Sequence, residues 1–424
     1  MASLEHGPKL NPQIAATFSG MKKSVMDGFA KLSAPAEDKG DKFSMLGMLL
    51  LCAMLIGLIV YLLKASRLFE NKVNIARMSK ADMMAQTGYD TANPKRIGIR
   101  KYLQNLVASG VPDSHLVLTN FYVSTVNATG LFFPSVDGIV TPQAARMAVL
   151  GGARGFVFDL WPDMTPGANF APCIQVVESG SLWRRVSMNS VPFAPIVKAL
   201  MEEAFAVQER PGYEDPVFLY LRFRGTARAV TYAATASALR AAMEQYRMPV
   251  IYNNRRAQDR IFSTPITELF RKVIVCSNVT AEGNPLSDYI NVGPRDGVKV
   301  EWNTSDVKGM TDDDKVKAIK QIKSNLSWVA PLSEDPNAEA NSYDFVANQS
   351  IGIQFSAMNF WNNNDKLKAY MDPKMFGTQS FAIKPAPIRY VVEMLPPPKY
   401  PENPNWGTGT TAGTPTKPAN VQLP

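Results

Sequence analysis

From Phe43 to Leu63 the chain runs without a charged residue (FSMLGMLLLCAMLIGLIVYLL). At ~1.5 Å of rise per residue such a helix matches the roughly 30 Å hydrocarbon core of a bilayer. The pattern predicts a single transmembrane helix over 43–63. A cleaved signal peptide fits poorly, because the run starts deep in the chain and ends in bulky Tyr61-Leu62-Leu63. A buried core helix is the alternative, although core helices seldom go so far without a charge. Upstream, Ile14, Phe18, Met21, Val25, Phe29 and Leu32 recur at helical spacing along one stripe, with Lys22, Lys23 and Lys31 elsewhere on the helix. That amphipathic segment suits an anionic lipid surface or a partner protein. Residues 1–42 therefore read as amphipathic segment and polar hinge, 43–63 as the span and 64–111 as a juxtamembrane region.

From about Val117 short apolar runs alternate with helical patterns, the signature of an α/β domain. Predicted strands are Leu116–Thr119, Gly155–Trp161, Cys173–Val177, Val217–Arg222, Lys272–Cys276, Tyr289–Val292, Ile351–Met358 and Phe381–Ile383. Predicted helices are Pro142–Leu150, Phe193–Val207, Tyr232–Tyr246, Asp313–Ile322 and Asp365–Tyr370. Some eight strands separated by helices or long loops describe a closed TIM-type (β/α)8 barrel over 112–394. An open doubly wound sheet is the alternative, without support from any Gly-x-Gly-x-x-Gly loop. Residues 395–424, rich in Pro, Gly and Thr, form a tail that cannot bury a core.

Charge changes this picture little. The chain has 45 Lys+Arg against 37 Asp+Glu, a net +8, but no dense basic block concentrates it, so nucleic acid is not an expected partner. Basic residues cluster slightly more after the span (Lys64, Arg67, Lys72, Arg77, Lys80) than before it, which places the C-terminal domain in the cytoplasm by the positive-inside rule. Three separated cysteines, Cys52, Cys173 and Cys276, form neither a disulfide framework nor a zinc pattern. Five sequons, at Asn127, Asn278, Asn303, Asn325 and Asn348, are of the number that an Asn- and Ser-rich chain produces by chance. The histidines restrict chemistry most: with only His6 and His115, a mechanism needing two imidazoles in one pocket is nearly excluded.

Several segments, in order over roughly 112–390, resemble the catalytic domain of phosphoinositide-specific phospholipase C. Ala153-Arg154-Gly155-Phe156-Val157-Phe158-Asp159-Leu160-Trp161 is similar to that family's Cys-Arg-Cys-x-Glu-x-Asp-x-Trp strand, and Val191–Leu200 with Glu203-Ala204-Phe205 to its following helix. Leu219-Tyr220-Leu221-Arg222 stands where the family has Leu-Ser-Leu-Glu. Leu286-Ser287-Asp288, Gln354–Phe360 and Phe381–Pro385 with Arg389 resemble its later segments.

The resemblance implies a barrel, two catalytic histidines and a calcium ion held by several acids. This chain departs on each chemical point. Leu118-Thr119-Asn120-Phe121-Tyr122 is taken as the counterpart of the first histidine turn and Trp183-Arg184-Arg185 as that of the second. His115 reads as a histidine at the start of a strand, donating to a backbone carbonyl. Of the implied acidic positions one falls on Val157, one on Asp159 and one on Arg222, with Asn120 as an amide ligand; one carboxylate cannot hold a cation that wants six to eight oxygens. The sequence therefore predicts a degenerate pocket of Asn120, Asp159 and Arg222, with the Arg222 guanidinium paired to Asp159 in place of a metal. No catalytic residue, metal or cofactor is expected. Two functions follow: a membrane-anchored structural or assembly component, of the kind found in large DNA viruses with an internal membrane, or a module that binds phosphoinositide or other anionic lipid head groups through Arg184 and Arg185 without cleaving them. The expected partners are a bilayer and other assembly proteins. Residual phosphodiesterase activity is the least favoured reading.

Overall fold

The run Gly155–Pro162 is almost wholly buried, as expected of a strand with helices on one face and an enclosed interior on the other. The computed structural model describes residues 42–77 and 96–391, the latter apart from short internal stretches of which 176–186 and 331–344 are the longest. The amphipathic segment 14–32, the tail 395–424 and Trp183-Arg184-Arg185 lie outside the described residues.

Within 96–391 the strands are β1 (Phe121–Val123), β2 (Thr125–Val126), β3 (Leu131–Phe132), β4 (Ile139–Val140), β5 (Gly155–Pro162), β6 (Pro172–Ile174) and β7 (Val191–Pro192). They continue as β8 (Val217–Phe223), β9 (Val273–Ser277), β10 (Glu301–Trp302), β11 (Trp328–Val329), β12 (Phe355–Met358) and β13 (Phe381–Ile383). Seven of them pair in parallel in the order β10-β11-β12-β2-β5-β8-β9, and Val292 forms a parallel bridge to Cys276 on the outer side of β9. The last stave thus lies beside the first, which is the order of a β/α barrel. Among the described residues no pairing joins the Val292 segment to β10, so the sheet is barrel-ordered with one open seam and the expected closed barrel is not seen. Close approach of β2 and β5 requires Gly155: a Cβ there would meet Thr125 Oγ1 at 2.4 Å.

Alternation along each strand divides the core. Val157 of β5, Phe218 and Tyr220 of β8, Ile274 and Cys276 of β9, Trp328 of β11 and Phe355 of β12 face inward and pack together. Phe156, Phe158, Leu219, Leu221, Val273 and Val275 face outward against the helices Pro142–Leu150, Phe193–Phe205 and Ala229–Met243. The interior is filled by aromatic rings: Trp328 lies 3.8 Å from Phe355 and 5.1 Å from Tyr220 between centroids, in stacked arrangements.

Several predicted elements need correction. Leu116–Thr119 is not a strand; it falls across two 3-10 turns, tied by Leu118 N–H to Thr264 O and Asn120 N–H to Val117 O. The first stave is β2, further along. Phe381–Ile383 is a strand, but it pairs antiparallel with β1 outside the parallel sheet. Likewise Cys173 and Ile174 of the predicted Cys173–Val177 lie in β6, antiparallel to β5, and of Tyr289–Val292 only Val292 forms a bridge. The staves β10 and β11, two residues each, were not predicted, nor was the helix Ile99–Ala108, whose Ile99 and Leu103 are buried with the inward-facing cluster.

Residues 42–77 form a continuous helix of 36 residues, Lys42–Arg77, and the division of the chain into two compact units falls within it, after Arg67. Leu49, Leu50, Leu51, Met54, Ile56, Leu58, Tyr61 and Leu63 are exposed along it. Among the described residues no helix is long and apolar enough to cross a membrane.

Candidate functional site

In a β/α barrel, chemistry gathers at the C-terminal ends of the staves. Asp159 near the end of β5 and Arg222 near the end of β8 are register partners on neighbouring parallel strands, so both side chains point into the mouth. Arg222 is 1% exposed and Asp159 4%. The guanidinium grips the carboxylate along one edge: Nη2 donates to Asp159 Oδ2 at 2.8 Å and Nε lies 2.8 Å from Oδ1. Its Nη1 donates to Glu301 Oε1 at 3.0 Å and to the Ala330 carbonyl at 3.3 Å. Arg224, two residues on, donates from Nε to Asp159 Oδ1 at 2.9 Å. Tyr220 donates its hydroxyl to Glu301 Oε2 at 2.7 Å.

Two guanidiniums and two carboxylates thus balance in the mouth. Burial opposes the charge on Arg222, but Asp159 and Glu301 outweigh it and raise its pKa above the ordinary value. Burial and then the Glu301 carboxylate push the Tyr220 phenol up, keeping it a donor. Deeper, burial pushes the Cys276 thiol up to about 12, so it stays protonated. The arrangement does not suit a divalent cation. Asp159 already faces two guanidiniums, Glu301 is held by Arg222 and Tyr220, and no grouping of three or more His, Cys, Asp or Glu able to hold a metal occurs among the described residues.

The structure brings Asp159 and Arg222 together but places Asn120 elsewhere. Asn120 precedes β1 on the opposite, N-terminal side, where its Nδ2 donates to His115 O and Tyr390 O and its Oδ1 accepts from Tyr390 N–H. The physical reason is the extra antiparallel strand: β1 is consumed by pairing with β13, and the first stave begins only at Thr125. The segment that follows β2 at the mouth carries Asn127 and no histidine. His115 sits with Asn120 at the far end, and its Nδ1 has no hydrogen-bond partner among the described residues. Glu301 and Tyr220 escaped the sequence reading. Tyr220 had a signal, since alternation in Leu219-Tyr220-Leu221-Arg222 puts it on the face of Arg222; Glu301 had only the short alternating Val298–Trp302.

At the level of sequence, no family model and no curated protein matches the chain. Among solved structures it is similar to PLC21 of L. pealei, with TM-score 0.50 and 17% identity over 65% of this chain and 38% of that one. It is also similar to PLC21 of S. officinalis, with TM-score 0.49 and 16% identity over 65% and 38%. A third is the calcium-dependent phosphoinositol-specific phospholipase C of a Pseudomonas species, at TM-score 0.38 and 10% identity over 64% and 97%. The chain therefore spans about two-fifths of the length of the two PLC21 proteins. Residues 96–391 carry the α/β fold of a phospholipase-C-like catalytic domain.

Proposed function

We propose that this chain is a non-catalytic phospholipase-C-like module, held at a bilayer by the helix Lys42–Arg77 and serving as a structural component of a membrane-bearing assembly, such as a particle with an internal membrane. The observation that carries this reading is the Arg222–Asp159 pair. A guanidinium stands where a metal-binding acid is implied, and with Arg224 it saturates the carboxylate that would otherwise receive a cation. The placement of His115 at the far end supports the same reading, because general acid–base work needs a titrating group within reach of the mouth. The uncharged run Phe43–Leu63 supports the anchor.

The test is incubation of the full chain with vesicles containing phosphatidylinositol, with and without calcium. No release of inositol phosphate is expected, and calcium-dependent turnover would overturn the inactive reading. In parallel, alkaline carbonate extraction should leave the full chain in the membrane pellet; recovery in the supernatant would remove the anchor. In the structural reading, flotation with phosphatidylinositol vesicles is unchanged by the pair Arg184→Glu and Arg185→Glu. Loss of flotation on that change would favour a head-group-binding module instead.

A further inference from the structure

The five Asn-x-Ser/Thr sequons are not equivalent once the chain is folded. Asn348 is 0% exposed, and Asn127 and Asn325 are each 8% exposed. The Asn325 amide is fully committed, its Nδ2 donating to Gln321 O at 2.9 Å and to Ser324 Oγ at 3.3 Å. Asn127 follows β2 at the mouth, its N–H bonded to Met358 O. Asn278 lies at the surface with its side chain clamped to the Phe223 backbone, accepting from N–H at 2.8 Å and donating to O at 3.1 Å. Asn303 is exposed, with only a 3.4 Å contact to Asp306.

An N-glycan is bulky and solvated, and it is attached through the side-chain nitrogen of Asn. Its transfer takes place on the nascent chain as it enters the secretory lumen, before burial protects a site. A domain made there would present Asn127, Asn325 and Asn348 to the transferase while they are still accessible. A glycan at any of the three would then have to be accommodated in a close-packed interior. An attached glycan would oppose packing at three separate positions, after β2, after the helix Asp312–Lys323 and in the helix Phe345–Ser350.

From this burial pattern we infer that residues 96–391 fold on the cytosolic side, in a compartment where N-glycans are not attached, and that the sequons are unused. The inference stands apart from the proposed lack of activity and does not depend on the helix Lys42–Arg77 being an anchor.

It is tested with the full chain expressed in a eukaryotic cell that N-glycosylates secretory proteins, reading mobility before and after endoglycosidase. Three forms are compared: the unaltered chain, Ala15→Asn, which makes Asn-Ala-Thr before the apolar run, and Gly409→Asn, which makes Asn-Thr-Thr in the tail. The unaltered chain and Gly409→Asn are expected to show no endoglycosidase-sensitive shift. A shift in Ala15→Asn alone supports both the cytosolic domain and a membrane span. No shift in any form supports the cytosolic domain while counting against the span. A shift in the unaltered chain or in Gly409→Asn overturns the inference.

Discussion

Arg222 is a charged side chain in a place that ordinarily accepts only apolar ones, and its cost is met by its partners rather than by water. Replacement by Met should therefore destabilise the protein by about 3–5 kcal/mol, because Asp159 would keep a buried charge with Arg224 as its remaining cation. Adding Asp159→Leu to Arg222→Met should recover part of that loss. A double-mutant cycle by denaturant unfolding should give a coupling energy of ~0.5–3 kcal/mol, and strict additivity would show that the pair is not energetically linked. Lys384 is the opposite case. It is 0% exposed, its Nζ has no hydrogen-bond partner among the described residues, and it lies 5.9 Å from the Tyr122 ring centroid. Burial, then the charge of Lys323, lowers its pKa well below the ordinary 10.5 of a lysine. The unfolded chain therefore binds a proton that the native state resists, and stability falls as pH drops from about 10.5 towards the lowered native value. Lys384→Met should raise stability at neutral pH and flatten that slope, read as midpoint denaturant concentration between pH 6 and 10; an equal slope in both proteins would contradict the assignment. Of the mouth, Asp159 and Arg222 were legible because each sits in a long strand whose alternation fixes its face. Asn120 was misplaced because a sequence does not say which of two adjoining extended segments joins the parallel sheet.

Among the elements, the helix Ile99–Ala108 depends on one buried acid. Asp215 Oδ1 accepts from the Ile99 N–H at 2.7 Å, satisfying an otherwise orphan donor at the helix start, and Arg154 lies 3.4 Å from its other oxygen. Burial raises the Asp215 pKa, with Arg154 and the Ile99 N–H acting against that rise. Asp215→Ala should cost about 3–5 kcal/mol by leaving Arg154 without its carboxylate, with the largest gain in amide hydrogen exchange in residues 99–108. Protection unchanged there would show that apolar burial of Ile99 and Leu103 alone holds the helix. Long strands and helices could be read from the chain: Gly155–Trp161, Val217–Arg222, Lys272–Cys276 and all five predicted helices recur within a few residues of their expected bounds. The elements that could not be read are short. Two-residue staves such as Glu301–Trp302 and Trp328–Val329 owe their conformation to neighbours far away in sequence, and local pattern carries little of that information. Leu116–Thr119 has the composition of a strand, but it is turned aside by hydrogen bonds to Thr264 and Val117.

For the molecule as a whole, fold class and chain order were legible while closure was not, since the seam between Val292 and Glu301 turns on side-by-side pairing rather than on composition. The pairing of β1 with β13 has a consequence in time. Phe121 is partnered with Ile383, about 260 residues later, so β1, the strand that leads into the first stave, is secured only when nearly the last residues of the domain arrive. A ribosome must therefore release almost the whole domain before that zipper can form, and until then the β1 edge and the inward face beneath it stay open to other chains. Contacts of such long range slow folding, and the growing chain is most exposed to misassembly during that wait. A translation product halted at about residue 375 should be aggregation-prone and protease-sensitive, whereas one reaching residue 395 should be resistant. Equal protease resistance of the two would show that β13 is dispensable for the fold.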